Sequence, residues 1–286
     1  MTEDTDETAD RSVADRIALA GRAARAGGEV ATSYFRTAME VREKEGAMDP
    51  VTVADTETQE RVVAELREAG DTAPVVGEEG DARKTVPDAG RAWVIDPIDG
   101  TTNFARGARS WGVCVALVED REPVGGVTHL PALGDTYVAG PVGTTDDERA
   151  RITTTRNGEP VSTTDKGDPG ELVVAPVFHL HERDREQYRT VTAASLDAFG
   201  DVRALGSGQT ALATLASGGI DAVVSTAPIS PWDSICGVAL VRGAGGRVTT
   251  LDGERWRPGD GSLIATNGAC HEVVRGTVRD AVRGDG

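Results

Sequence analysis

Two different rhythms of apolar residues divide this chain, and no single simple layer accommodates both. Up to residue 140, two helix-patterned stretches come first. One spans residues 10–40 with Val13, Ile17, Ala20, Ala24 and Val30, weakened in its middle by Gly27–Gly28. The other follows Asp55 and aligns Val62, Val63 and Leu66. Strand-like runs succeed them at Ala73–Val76, Trp93–Ile95, Trp111–Val118, Val124–Thr128 and Thr136–Ala139, broken by Gly, Pro and Asp turns. That half predicts helices laid on an antiparallel sheet. Beyond residue 170 the pattern alternates. Strands are expected at Leu172–Ala175, Arg203–Leu205, Ala222–Ser225, Arg247–Thr250 and Leu263–Ala265, and helices at Arg183–Ala198, Thr210–Ala216, Trp232–Arg242 and from His271. Alternation of this kind predicts an α/β layer. The aperiodic segment 141–170, rich in Gly, Thr, Asp and Pro, sets the expected boundary between an α+β lobe over residues 11–150 and an α/β lobe over 151–286. Residues 1–10 are expected to be frayed, because a run of Asp, Glu and Thr buries too little apolar surface to pay for order.

Charge narrows the partners. The balance is 30 Lys+Arg against 47 Asp+Glu, a formal −17. Such a chain repels phosphate backbones and anionic lipid, so neither nucleic acid nor membrane is an expected partner. Only Lys44, Lys84 and Lys166 are lysine, and an acid-rich, lysine-poor surface predicts a salty, halophilic cytoplasm. No stretch approaches the roughly 20 apolar residues of a bilayer span, and the acidic opening MTEDTDETADR is unlike a signal peptide. Aromatics make up 4% of the chain, so core volume must come from Val, Ala, Leu and Ile. Cys114, Cys236 and Cys270 are odd in number and lie in apolar settings, as reduced core residues do. A cytoplasmic protein is expected.

Carboxylates at the ends of apolar runs are the chemical signal. In Trp93-Val94-Ile95-Asp96-Pro97-Ile98-Asp99-Gly100-Thr101-Thr102-Asn103-Phe104, one carboxylate ends a strand and a second follows three residues later, at what reads as a helix start. Hard divalent cations take oxygen ligands and an open helix N-terminus takes an anion, so the segment suits a metal-bridged phosphate. A plain Asp-Gly turn is about equally compatible with this segment alone. Gly77-Glu78-Glu79-Gly80 also reads as a solvated acidic turn, Asp233 as a helix N-terminal charge, and Asp55 as an N-cap. His129, His179, His181 and His271 fall in none of these segments and read as turn or surface residues.

Taken together, D-x-V-T-x-A-D ending at Asp55, G-E-E-G, W-V-I-D-P-I-D-G-T-T-N-F and P-W-D-S-I-C-G resemble, in this order and spacing, the inositol monophosphatase family. That family includes the archaeal fructose-1,6-bisphosphatases. The resemblance implies a layered αβαβα sandwich, usually a homodimer, and a Mg2+-dependent phosphomonoesterase acting on a small phosphorylated sugar or polyol. It implies that Glu78, Asp96, Asp99 and Asp233, with the Ile98 carbonyl, hold two or three Mg2+ ions. Asp55 and Thr101 match positions that orient and deprotonate the attacking water, and Gly100, Thr101 and Thr102 match the phosphate cradle. Asp99, Arg203, Gly206, Ser207 and Thr226 match the leaving-group side.

Thr226 stands where animal inositol monophosphatases place a glutamate against the inositol hydroxyls. That difference leaves fructose-1,6-bisphosphate and inositol-1-phosphate both open as substrates. For Arg203, a second-phosphate ligand and an ordinary surface arginine are both open. Phosphatases for 3′-phosphoadenosine 5′-phosphate or histidinol phosphate are alternatives in the same superfamily. A non-catalytic regulatory binding protein is the alternative of another class.

Overall fold

The computed structural model describes residues 11–37, 42–43, 50–51, 53–141, 152–177 and 185–284. The expected frayed stretch 1–10 lies outside these residues, as do Asp49, Thr52, His179 and His181.

In chain order the first half holds α1 (Val13–Tyr34), a short ribbon of β1 (Arg42–Glu43) and β2 (Pro50–Val51), and α2 (Val53–Glu68). Next come β3 (Val75–Gly77), β4 (Arg91–Asp99), the single-turn α3 (Thr101–Ala105), β5 (Gly112–Glu119), β6 (Glu122–Leu130) and β7 (Asp135–Pro141). The second half holds β8 (Ile152–Arg156), β9 (Glu159–Pro160), β10 (Val173–Pro176), α4 (Arg185–Ala198), β11 (Asp201–Val202) and α5 (Gly208–Ala216). It closes with β12 (Ala222–Ser225), α6 (Ile235–Gly243), β13 (Arg247–Thr249), β14 (Leu263–Thr266) and α7 (His271–Arg283).

Seven strands form one sheet in the order β3-β4-β5-β6-β7-β8-β9, antiparallel except for the β3–β4 pair. Five form the other in the order β11-β10-β12-β14-β13, parallel on the β10 side and antiparallel around β14. Helices α1 and α2 cover one face of the first sheet. Helices α5 and α6 fill the space between the sheets, and α4 and α7 cover the far face of the second. The result is the α-β-α-β-α layering that the resemblance implies.

Alternation within strands sorts side chains between these layers. In β5, Val113, Val115 and Leu117 join the cluster under α1 and α2, while Cys114, Ala116 and Val118 face the α5–α6 layer. Small residues let the layers close up. A Cβ on Gly27 of α1 would stand 2.6 Å from Val62 of α2, and one on Gly28 would stand 2.6 Å from the His129 ring at the end of β6, so the glycine pair that weakens the helix pattern lets α1 approach both a helix and the sheet. All three cysteines are free and buried. Among the described residues no helix is long and apolar enough to cross a membrane.

Three sequence expectations are corrected. Residues 152–160, expected in the second lobe, form the last two strands of the first sheet. The strand expected at Arg203–Leu205 is instead Asp201–Val202; only the Arg203 N–H continues the pairing, to the Val174 carbonyl at 2.9 Å. The helix expected from Trp232 begins at Ile235, because Ser230–Ser234 first makes a tight turn in which the Asp233 N–H meets the Ser230 carbonyl at 3.1 Å.

Candidate active site

Strand β4 delivers two carboxylates to one place by breaking its own rhythm. Ala92 and Val94 face the α5–α6 layer, and Asp96 follows in phase. Three residues on, Asp99 would fall on the opposite face. Between them the register slips: Asp96 pairs with Cys114 and Asp99 with Gly112, leaving Pro97 and Ile98 opposite one residue of β5. That bulge restores Asp99 to the face of Asp96, and proline, which has no N–H to lose from the ladder, suits it. Asp233, from the turn before α6, completes the group: one oxygen from each of Asp96, Asp99 and Asp233 lies within 4.8 Å of the others.

The three carboxylates are held differently. Asp99 is 3% exposed and sits on the N-terminus of α5. Its Oδ1 accepts the Gly208 N–H at 3.1 Å, and its Oδ2 accepts the N–H groups of Gln209 and Thr210 at 3.1 and 3.2 Å together with the Ser207 hydroxyl. Burial still pushes its pKa up to about 6, against the lowering by Ser207 and with a further rise from Asp233. Asp96 is 1% exposed, and neither of its oxygens has a hydrogen-bond partner among the described residues. Burial, then the charges of Glu78, Asp99, Asp233 and Asp55, raise its pKa well above the carboxylate range. An unpartnered carboxylate among four others costs several kcal/mol unless it is protonated or met by a cation. The donor set, all oxygen and all acidic, fits a hard divalent cation such as Mg2+.

Around this group the sequence-derived candidates gather to different degrees. Asp55, buried in the first turn of α2, accepts the Thr101 hydroxyl at 3.3 Å; that hydroxyl also lies 3.0 Å from the Ile98 carbonyl. Asp55 is therefore inside the helix and not its N-cap. Glu78 stands outside the tight trio, yet its charge acts on Asp96. Gly100 adopts φ 85°, and a Cβ there would lie 3.0 Å from both the Ser110 carbonyl and Ser207 Cβ. Ser207 caps α5, and Gly206, at φ 69°, turns the chain into it. Thr102 lies in α3, half-buried. Arg203 is exposed and ion-paired with Asp201. Thr226 points its hydroxyl to Gln187 of α4 at 3.5 Å. Two histidines sit elsewhere: His129 bonds Thr136 across a hairpin, and His271 is buried between Thr249 and Thr266.

Three supporting residues escape a reading of the sequence. Asn103 Nδ2 donates to the carbonyls of Ser110 and Leu205 at 2.7 and 2.9 Å, stapling the 205–207 loop to α3. Lys84 Nζ donates to the carbonyls of Gly77 and Glu78 at 3.0 and 2.9 Å and lies 5.7 Å from the Trp232 ring centre, joining the Glu78 turn to the Asp233 turn. Gln209 bridges α5 to α6. Asn103 belongs to the central motif and Lys84 is one of three lysines, which are the only signals either carries.

The arrangement has counterparts among known proteins. A family model described as the inositol monophosphatase family matches residues 13–283. The fructose-1,6-bisphosphatase/inositol-1-monophosphatase of Thermotoga maritima is 30% identical over 270 residues, 94% of this chain and 97% of its own. The histidinol-phosphatase of Mycobacterium tuberculosis is 32% identical over 243 residues, 79% of this chain and 84% of its own. Among solved structures, the Thermotoga maritima IMPase superposes with a TM-score of 0.82 at 29% identity, covering 95% of this chain and 100% of that one.

Proposed function

Since the chain belongs to the inositol monophosphatase family and is a phosphoric monoester hydrolase, we propose that it hydrolyses the phosphate ester of a small sugar or polyol with Mg2+. Fructose-1,6-bisphosphate and inositol-1-phosphate are the substrates of choice. The observation that carries the reading is Asp96, buried, without a hydrogen-bond partner among the described residues, and grouped with Asp99 and Asp233.

Asp96, Asp99 and Asp233 would hold Mg2+, with Glu78 and the Ile98 carbonyl beside them. Bound there, Mg2+ would supply Lewis acidity to phosphoryl oxygens and lower the pKa of a water. The residues around it divide the remaining work. Thr101 Oγ1 has the Ile98 carbonyl at 3.0 Å and Asp55 Oδ1 at 3.3 Å as alternative acceptors. With the Ile98 carbonyl turned to the cation, the hydroxyl would donate to Asp55 and accept from the attacking water, and Asp55 is placed to take the proton. The first turn of α3 leaves the N–H groups of Thr101 and Thr102 without intrahelical carbonyls, and they cradle the phosphate. The side chain that Gly100 lacks keeps the 206–207 loop close on this cradle. Attack is in line at phosphorus, with no nucleophilic side chain; burial raises the Cys114 thiol well above its usual pKa and keeps it protonated.

On the leaving-group side, Thr226 and Gln187 form a neutral pair, and a second phosphate meets no fixed negative charge at Thr226. Fructose-1,6-bisphosphate should therefore be cleaved at least as efficiently as inositol-1-phosphate, losing only its 1-phosphate. Phosphate release with Mg2+, compared over these two esters, histidinol phosphate and 3′-phosphoadenosine 5′-phosphate, tests this. A tenfold higher kcat/KM for inositol-1-phosphate, about 1.4 kcal/mol, defeats the choice of substrate. The relative from Mycobacterium tuberculosis favours histidinol phosphate as the second reading, and the same panel decides it.

A further inference from the structure

Gln209 is fully buried at the second position of α5; its backbone bonds Asp99, and its side chain bonds the backbone on either side of Asp233. Its N–H donates to Asp99 Oδ2 at 3.1 Å. Its Nε2 donates to the Trp232 carbonyl, one residue before Asp233, at 2.5 Å. Its Oε1 accepts the Gly237 N–H at 2.6 Å, one of the donors that the first turn of α6 leaves without an intrahelical partner. Gly237 is what permits this reach: a Cβ there would lie 2.4 Å from Leu212 of α5 and 2.8 Å from Gln209 Oε1. One residue thus grips Asp99 on one side and, on the other, the Asp233 turn at Trp232 and the first turn of α6 that follows it.

We propose that Gln209 is a positioning residue that fixes the gap between Asp99 and Asp233 and thereby makes the site select a small octahedral cation over a larger one. The inference rests on the reading of these carboxylates as the cation site. A Mg2+ site demands near-ideal geometry at short metal–oxygen distances, whereas Ca2+ accepts variable coordination at longer ones. A looser gap should therefore penalise Mg2+ far more than Ca2+.

The test is calorimetric titration of Mg2+ and of Ca2+ into substrate-free protein, for the wild type, Gln209→Met and Gln209→Glu. Gln209→Met keeps the volume and removes the side-chain bonds; circular dichroism and melting temperature check its fold. Mg2+ affinity is expected to fall about tenfold in Gln209→Met while Ca2+ affinity changes less than about threefold. Gln209→Glu, which keeps an acceptor for the Gly237 N–H, should give a Mg2+/Ca2+ ratio between the two, and it decides the matter if Gln209→Met does not fold. Equal loss of both ions, or no loss of either, overturns the positioning role while leaving the cation site intact. A wild type that binds neither ion, with Asp96→Asn indistinguishable from it, overturns the site reading and this inference together.

Discussion

Neither oxygen of Asp96 is hydrogen-bonded among the described residues, and burial and its acidic neighbours act together to raise its pKa. Two outcomes follow from that one setting. Asp96→Asn should lower kcat to less than about a tenth of wild type, because an amide offers a cation no anionic oxygen. Without Mg2+ the same variant should melt higher, by a few degrees for about 1 kcal/mol of relieved repulsion. Calorimetry and phosphate release on one preparation check both, and a metal-free variant that melts lower would count against the repulsion argument. Thr101 supports a separate prediction. Thr101→Ala should slow hydrolysis about 10²–10⁴-fold, the usual range for a lost proton-transfer link, and leave Mg2+ affinity unchanged, while Thr101→Ser keeps the hydroxyl and most of the rate. Weakened Mg2+ binding with an unchanged rate would show the hydroxyl has another task. These residues are legible in the sequence because each lies in a short motif whose spacing carries the chemistry. Asn103 and Gln209 do their work on carbonyls and N–H groups of remote segments, as in the bond from Asn103 to Leu205, 102 residues away. No local pattern encodes such partners.

At the scale of elements, the bulge in β4 and the turn at Gly100 act as one device. The bulge aligns Asp96 with Asp99, and the left-handed Gly100 then starts α3 beneath the 206–207 loop. Gly100→Ala must place a Cβ 3.0 Å from the Ser110 carbonyl and from Ser207 Cβ while holding φ at 85°. The conformational penalty alone is roughly 1–2 kcal/mol, and the displaced loop takes Ser207 from Asp99. The variant should melt lower by several degrees and show a raised KM for phosphate esters. A normal melting temperature would mean that the loop yields freely. Two segments lack a sequence signature for local reasons. Strand β8 buries only Thr154, which bonds the Leu240 carbonyl at 2.7 Å, so its threonine-rich sequence shows no apolar alternation. The segment Arg203–Leu205 looks extended, yet its purpose is to leave the sheet and bring Ser207 to Asp99. The strands of the first sheet before β8 were plain because both their faces are covered.

Across the whole molecule, strand–helix alternation indicates the layers, but which helices lie between the sheets is set by long-range packing that alternation does not express. The layers also place two buried titratable groups with opposed effects on stability. Asp99, between the layers, is pushed up to about 6, so the metal-free fold takes up its proton before the unfolded chain does and gains stability as pH falls from about 6 toward 4. His271, at the start of α7, is fully buried between two threonine hydroxyls at 2.9 Å. Burial, helped by Arg247 and Arg275, pushes its pKa down to about 4. The unfolded chain protonates this histidine near pH 6.5, so its contribution is complete above that value and is lost as pH falls toward 4. Asp96, raised by burial and its acidic neighbours, acts with the same sign as Asp99, so in the metal-free protein the carboxylates oppose His271 and a pH scan of the wild type alone does not separate them. The separation comes from His271→Gln, which removes the histidine's proton uptake and leaves Asp99 alone. The variant loses some stability at every pH, but the gap in unfolding free energy between wild type and variant should shrink by about 2 kcal/mol between pH 7.5 and pH 4.5. Urea titrations of the metal-free proteins at those two pH values measure it. A gap that stays constant would mean that His271 accepts its proton in the folded state as readily as in the unfolded one.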